Sequence, residues 1–383
     1  MKKILNTQHT RHRPGRGKAV VLASIVALGL AALTGCQATS GGTASAHPSG
    51  SAGPLSMPDI AISSNFNSTP ELSQIALGKK YYQANGLNSA TVVGYGTTAA
   101  DQIALVLGGH AQFINGNASP VLHAVSSGSD LVALMNIRVG GSTALVVKKA
   151  TAKKLGIPTA NSTVAEVKKQ LLALKGSHLE IGVPSVTGDN AVNLVAIAND
   201  LGLTTGSSAS DDIKITAFGS QPNMATAFGT GKVDAFSSTA PSTYLPDTVY
   251  IPLYKAAPVS DEAALTLAAT STFIKAHPDV VQATVDSYLM AMKYAQDHPA
   301  DAVKYLSDTY QQAGATPDQY SKMFDQYVPE LGQPVITKKM FQANYDIAGL
   351  AGALKPISYA SFVDNSFVIK GIKQLGLKYP TAE

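Results

Sequence analysis

The chain has 383 residues, of which 45% are hydrophobic and only 14% charged. That composition excludes a disordered chain and leaves room for two domains, each with its own core. Six of the 29 basic groups (Lys2, Lys3, Arg11, Arg13, Arg16 and Lys18) fall in residues 1–35, where no acid stands, so 23 basic face 25 acidic residues in the remainder. The formal +4 therefore gives no support to a nucleic-acid partner.

The basic start runs into an apolar stretch, Ala19 to Leu33. It is too short for a comfortable transmembrane helix and of the right length for the core of a secretion signal. It ends in Leu33-Thr34-Gly35-Cys36, which resembles the bacterial lipoprotein cleavage box. The resemblance implies cleavage before Cys36 and lipid on its sulfur, hence a membrane anchor without a transmembrane helix. Cys36 is the only cysteine, so no intramolecular disulfide can form. Gln37 to Ser56, rich in Ser, Gly, Ala and Thr, is expected to be a flexible tether.

Globular sequence starts near Met57. Asp59 to Ser64 reads as a first strand, followed by the polar loop Asn65-Phe66-Asn67. Ser68 to Glu71 has the form of a capping box, and Leu72, Ile75, Ala76 and Tyr82 recur at helical spacing up to Gly86. Strands are expected at Thr91–Tyr95, Ala111–Asn115 and Leu131–Ile137, with helices over Asp101–Leu107 and from Ser119-Pro120 to about Ser126.

Ser142 to Lys149 reads as an exposed strand that leaves this first lobe. Thr163 and Glu166 offer a capping box to a helix through Leu174. A buried strand at Leu179–Val183, the loop Pro184–Gly188 and a helix over Asn190–Leu201 follow. Then come a strand at Lys214–Phe218, a helix at Pro222–Phe228 and strands at Thr248–Leu253 and Ala264–Thr270. From Phe273 the pattern is helical, with Pro278 and Pro299 in first turns, and a strand-free run of this kind is expected to buttress one lobe.

One stretch occurs twice. Gly229 to Pro241 reads GTGKVDAFSSTAP, and 122 positions earlier Gly109 to Ser119 reads GHAQFINGNAS. Both say helix end, buried strand, then a polar loop at the strand's carboxyl end, where open α/β sheets bind ligands. Two such units predict two related lobes facing a shared cleft.

The chain lacks a G-x-S-x-G elbow, a phosphate loop, H-E-x-x-H and paired C-x-x-C, and no two of its histidines beyond the tether stand at i,i+4. No catalytic group, metal site or cofactor is therefore expected. What remains is neutral polar chemistry at strand ends: Asn115 and Asn117, Ser237, Ser238 and Thr239, and Ser185, Thr187 and Asn190 where a strand feeds a helix. Asp189 in that helix's first turn either caps the helix or meets an amine on the ligand. Arg138 is the only arginine beyond the signal segment and stands where the chain crosses between lobes. It either holds an anionic group bidentately or forms an interlobe or surface ion pair. Asn65 and Ser142 complete the candidate ligand set, and Phe66, Tyr95 and Phe218 can stack on a flat ligand or pack in a core.

From about Met57 to Tyr310 the chain resembles the solute-binding proteins of ABC importers, in the nitrate, sulfonate and taurine branch that also binds thiamine pyrimidine precursors. The matching segments are NGL at 85–87, GHAQF at 109–113, LKGSHLEIGVPSVTGDNA at 174–191, GTGKVDAFSSTAP at 229–241 and the helical stretch 271–306. The resemblance implies an α/β, two-lobed periplasmic-binding-protein type II fold. Each lobe would be a mixed, mostly parallel sheet flanked by helices, with a helical C-terminal region. Lobe 1 would comprise 57–141 plus 266–383 and lobe 2 142–265, with Ser142–Val147 and Leu265–Ala269 as paired hinge strands. It also implies capture of a small solute by hinge closure and delivery to an ABC permease by a monomeric, lipid-anchored, non-enzymatic receptor. The sequence carries Asp189 in the loop where that branch binds anions, and it has no tryptophan. Two alternatives stand: an enzyme on the same fold, such as a pyrimidine-precursor synthase or thiaminase-like protein, and a sensory lipoprotein without transport.

Overall fold

The computed structural model describes residues 54–64, 72–94, 98–140, 143–219, 221–239, 245, 247–256, 261–309, 318, 321, 331–350 and 352–379. The first part contains β1 (Asp59–Ser64), α1 (Leu72–Gly78), α2 (Tyr81–Ala84), β2 (Ser89–Val93), α3 (Ala99–Leu107), β3 (Phe113–Asn117), α4 (Ala118–Ser126) and β4 (Val132–Val139). The middle contains β5 (Thr143–Lys148), α5 (Lys149–Leu155), α6 (Val164–Leu172), β6 (Leu179–Val183), α7 (Asp189–Asp200), β7 (Thr205–Gly206), β8 (Ile213–Ala217), α8 (Gln221–Gly229), β9 (Ala235–Thr239) and β10 (Thr248–Ile251). Then follow β11 (Ala263–Ala269), α9 (Ser271–Ala276), α10 (Pro278–Asp297), α11 (Pro299–Thr309) and helices at Lys338–Gly349, Tyr359–Phe362 and Ser366–Gln374.

The strands form two mixed sheets, one ordered β2-β1-β3-β11-β4 and the other β10-β5-β9-β6-β8-β7. They are built alike. In the first, β1 runs parallel to β2 and β3, and β11 runs antiparallel to β3 and β4. In the second, β6 runs parallel to β8 and β9, and β5 runs antiparallel to β9 and β10. The fold is thus the expected two-lobed one, and β3 and β9 hold the same place in their sheets.

The repeated stretch explains that equivalence at the level of hydrogen bonds. Each copy begins with a glycine in the left-handed region, Gly109 at φ 74° and Gly231 at φ 80°. Gly109 N–H donates to Val106 O and His110 N–H to Leu105 O; Gly231 N–H donates to Phe228 O and Lys232 N–H to Ala227 O. These are the paired bonds of a Schellman cap, which needs the positive φ that glycine tolerates. The cap holds one residue more: Ala111 N–H and Val233 N–H also return to Leu105 O and Ala227 O, at 3.1 and 3.4 Å. Both strands therefore start two residues later than their apolar runs suggest. As a result Asn115-Gly116-Asn117 and Ser237-Ser238-Thr239 are the last residues of β3 and β9, not loops after them.

Other expectations shift for identifiable reasons. The first helix breaks at Lys80, which is left-handed at φ 59°, yet Leu72, Ile75, Ala76 and Tyr82 still reach one core. β5 is buried rather than exposed, because β10 and β9 flank it. The capping box of Thr163 and Glu166 is present. Ser56 is docked at the start of α10: its N–H donates to Asp279 Oδ2 at 2.6 Å and its hydroxyl to Oδ1 at 2.7 Å.

Helices cover both faces of each sheet. On the first, α10 contributes Val281, Val285, Tyr288 and Met292 to a core with Ile62, Phe113 and Leu267. On the second, α7 and α6 pack against Leu145, Ile181 and Ala235. Burying each such side chain fully contributes about 1.5–3 kcal/mol. The C-terminal helices do not serve one lobe alone. In the helix Lys338–Gly349, Phe341 and Ala348 join the first sheet's core while Ile347 packs into the second's.

Gly140, at φ 78°, donates its N–H to Glu262 O at 2.8 Å, so the outgoing and returning segments lie side by side there. The two strands expected to pair as hinges, β5 and β11, lie in different sheets and do not bond each other. β11 already pairs with β4 at Ala263, ahead of the expected return at Leu265.

Candidate functional site

β6 ends at Val183 and the chain turns through 184–188 into α7. Ser185 Oγ lies 3.1 Å from Thr187 Oγ1 and accepts the Thr187 N–H at 3.3 Å, so these two hydroxyls organise the turn itself. Asp189 opens α7. The positive end of a helix favours a carboxylate, but this one is only 8% exposed.

Around it a buried polar cluster draws on both sheets. Arg138 from β4 is 2% exposed, Glu262 at the entry to β11 is 1% exposed, and Asn193, one turn along α7 from Asp189, is fully buried. Asn193 Nδ2 donates to Glu262 Oε1 at 3.1 Å and to Thr143 Oγ1 of β5 at 3.4 Å. The second sheet's helix is thereby tied to the crossing segment. Behind it, Asn344 Oδ1 accepts the Ala263 N–H at 2.9 Å and its Nδ2 donates to Ala263 O at 3.2 Å, fixing the start of β11.

Two buried carboxyls here feel the charge of one guanidinium. Burial raises the Asp189 carboxyl to about 7, with Arg138 and the Ser119 hydroxyl pulling it partly back. Burial also raises Glu262, to about 8; the Asp189 charge adds to the rise, while the Asn193 hydrogen bond and Arg138 oppose it. Removing water from a charged group favours its neutral form, and a like charge nearby does the same. Both carboxyls are therefore held toward their neutral forms near neutral pH.

The remaining expected residues fall in three groups. Asn115 is buried in β3, and its Nδ2 donates to Ser64 Oγ of β1 at 3.4 Å. Asn117 caps α4 by its backbone position without a side-chain bond to the helix. Ser237, fully buried, donates its hydroxyl to Asn190 O at 2.6 Å and so binds β9 to the first turn of α7; Ser238 is also buried and pairs with Ala144. Thr239 pairs with Thr143 at the end of β9. Phe218 packs over Gly182: a Cβ there would meet its ring at 3.1 Å, so the aromatic has a structural neighbour. Cys36, Asn65, Phe66, Tyr95 and Ser142 lie outside the described residues.

Sequence reasoning missed Glu262, Asn193, Ser119 and Ser64. Asn193 had a signal: it interrupts the apolar face that Val192, Ala196 and Ile197 form on α7. Glu262 had none, since an acid ahead of an apolar strand is ordinary. Among the described residues no group of three His, Cys, Asp or Glu is placed to hold a metal ion, and no helix is long and apolar enough to cross a membrane.

The model of the NMT1-like family matches residues 67–307. No curated protein matches the sequence. Among solved structures, the periplasmic nitrate-binding protein NrtA from Synechocystis PCC 6803 superposes with a TM-score of 0.65 at 8% identity, over 86% of this chain and 93% of its own. The alkanesulfonate-binding protein SsuA from Xanthomonas axonopodis pv. citri, bound to MOPS, gives 0.59 at 16% identity, over 82% of this chain and 97% of its own. The desulfurization enzyme DSZB gives 0.55 at 14%, over 82% and 99%. Identities this low establish a shared fold, and one fold hosts both binding and catalysis.

Proposed function

The chain belongs to the NMT1-like family, and on that premise we propose that it is the extracytoplasmic solute-binding receptor of an ABC importer. It captures a small polar solute between its lobes and delivers it to the permease's transmembrane subunits. The observation that carries this reading is the buried polar cluster itself. Ser119, Arg138 and Glu262 come from the first sheet's side and Asp189 and Asn193 from the second's. Groups gathered from two bodies act on one solute only when the bodies close, so a solute that touches both favours the closed form. The lobes are 57–141 with 266–383, and 142–265; the pairing of β11 with β4 from Ala263 onward supports a return of the chain to the first lobe in this region. The receptor is monomeric and held at the membrane by lipid on Cys36.

The sulfonate- and nitrate-binding structures support a receptor, and the desulfurization enzyme marks the rival. Native mass spectrometry of the full-length protein separates them. A small molecule that co-purifies, exchanges and is recovered unchanged after incubation is the expected result; its conversion to a product refutes the receptor reading. The same spectra test the anchor, which adds diacylglycerol mass to the mature chain and is lost in Cys36→Ala.

A further inference from the structure

The cluster around Asp189 and Glu262 is assembled from parts that separate when the lobes part. Asp189 and Asn193 ride on α7 of the second lobe, whereas Arg138 stands on β4 and Ser119 on α4 of the first. Glu262 lies one residue ahead of Ala263, whose N–H and carbonyl are both bonded by Asn344 at the start of β11. Glu262 is therefore held to the first sheet, and the 3.1 Å bond it accepts from Asn193 Nδ2 runs between the lobes. Parting the lobes breaks that bond and draws Asp189 away from Arg138 and Ser119. Water then reaches two carboxyls that the closed arrangement leaves 8% and 1% exposed.

Among the described residues, Arg138 is the cation that acts on both carboxyls, and the Asp189 charge acts on Glu262. The other packed elements face the pair with neutral groups: the Ser119 hydroxyl of α4, the Thr143 hydroxyl of β5 and the Asn193 amide of α7. The neighbouring Asp261 pairs instead with Lys339, 3.3 Å away on the exposed surface. One guanidinium does not offset the removal of water from two acids, so burying them together favours their protonated forms.

Resting on the hinge closure of the receptor reading but not on the identity of the solute, we propose that closure is proton-linked: the lobes close on Asp189 and Glu262 in their protonated forms, and ionisation of the two acids favours opening. Burial sets the sign. It raises Asp189 from 3.8 to about 7 and Glu262 from 4.5 to about 8. Between the solvated and the buried values, the closed form keeps protons that the open form has released. The closed fraction is therefore highest in acid and falls as the pH climbs to about 8, by about tenfold per pH unit for each proton taken up. A solute is held most tightly at acid pH and let go more readily above neutrality.

Pulsed electron resonance between spin labels on Leu107→Cys of α3 and Leu172→Cys of α6, both exposed, tests this in the full chain carrying Cys36→Ala. The shorter, closed distance is expected to dominate at about pH 5, and the closed-to-open ratio to fall about tenfold or more by about pH 8.5. Adding Asp189→Asn and Glu262→Gln together is expected to leave that ratio the same at both pH values, with circular dichroism verifying the fold. The pH series on the unaltered cluster decides the matter where that variant does not fold. Two distances whose ratio ignores pH, or a response undiminished in the double variant, overturn the proton linkage while leaving hinge closure. One distance throughout, whatever the pH, overturns both.

Discussion

Asp189→Asn is expected to stabilise the folded protein, and only where the pH is high enough. The Asp189 carboxyl titrates near 3.8 when solvated and near 7 in the fold, chiefly because it is buried. For a group raised in this way, its contribution to stability is fully present below 3.8 and is lost as the pH climbs to about 7, where the folded state must also give up the proton. A gap of about three pH units at 1.36 kcal/mol each amounts to roughly 4 kcal/mol lost by the wild type across that window. Asparagine keeps the shape and carries no charge. Its weaker bond to Ser119 gives back about 1 kcal/mol, leaving a net gain of about 3 kcal/mol above pH 7. At about 2 °C per kcal/mol for a chain of this size, the melting temperature rises by roughly 6 °C. With no tryptophan in the chain, the assay is thermal unfolding by far-ultraviolet circular dichroism, at about pH 4.5 and 8.5. The gap between variant and wild type must widen between those two conditions. An equal gap at both, or a variant less stable at the higher pH, refutes the claim that a buried carboxylate opposes folding here.

Three further substitutions probe the same frame. Arg138→Met removes the cation between two buried carboxylates, and breaking such a set from one side costs about 3–5 kcal/mol, read as a lower urea midpoint at pH 8. The loss is expected to shrink at pH 5, where both acids keep their protons; an equal loss at both pH values would count against the charge explanation. Ser237→Ala deletes the bond to Asn190 O and is expected to cost about 1 kcal/mol in urea unfolding; no change in the midpoint would show that β9 and α7 hold together without it. Gly371→Ala places a methyl against Asp286 Oδ1 and 2.6 Å from Leu289 Cδ1, on a face packed against α10. Overpacking of that kind costs about 1–3 kcal/mol, and an unchanged melting temperature would show that the helix Ser366–Gln374 can shift freely.

The fold was largely legible because its elements carry local signals. β1 and β6 fall on the residues their apolar patterns mark, and the doubled stretch announces two equivalent strands. The misplacement of β3 and β9 by two residues has a local cause too. Ala111 and Val233 are apolar and look like strand, but their N–H groups still close the preceding helix. The site was only half legible. Arg138 stands out as a lone arginine, and Asp189 and Asn190 as polar residues at a strand-to-helix turn. Their partner Glu262 becomes buried only because β11, α7 and the helix Lys338–Gly349 converge on it, and no window of neighbouring residues records a meeting of that kind. The hydroxyls of Ser185 and Ser237 show the opposite failure. Each looked available for a ligand, and each already bonds a nearby group in the protein.

The strand order of the first sheet also constrains how the chain can be assembled. β3 and β4 do not touch; β11 lies between them and is made more than a hundred residues later, after the whole second sheet. While the chain is still emerging, the first sheet is two fragments with open edges, and no lengthening of the N-terminal part alone can join them. Closing so long a loop is entropically costly and slow compared with forming local turns. The second sheet has no such gap, since all six of its strands lie within one continuous segment. The lobe that begins the chain is therefore the one to finish folding last, and a chain cut before Ala263 would leave its sheet unable to close.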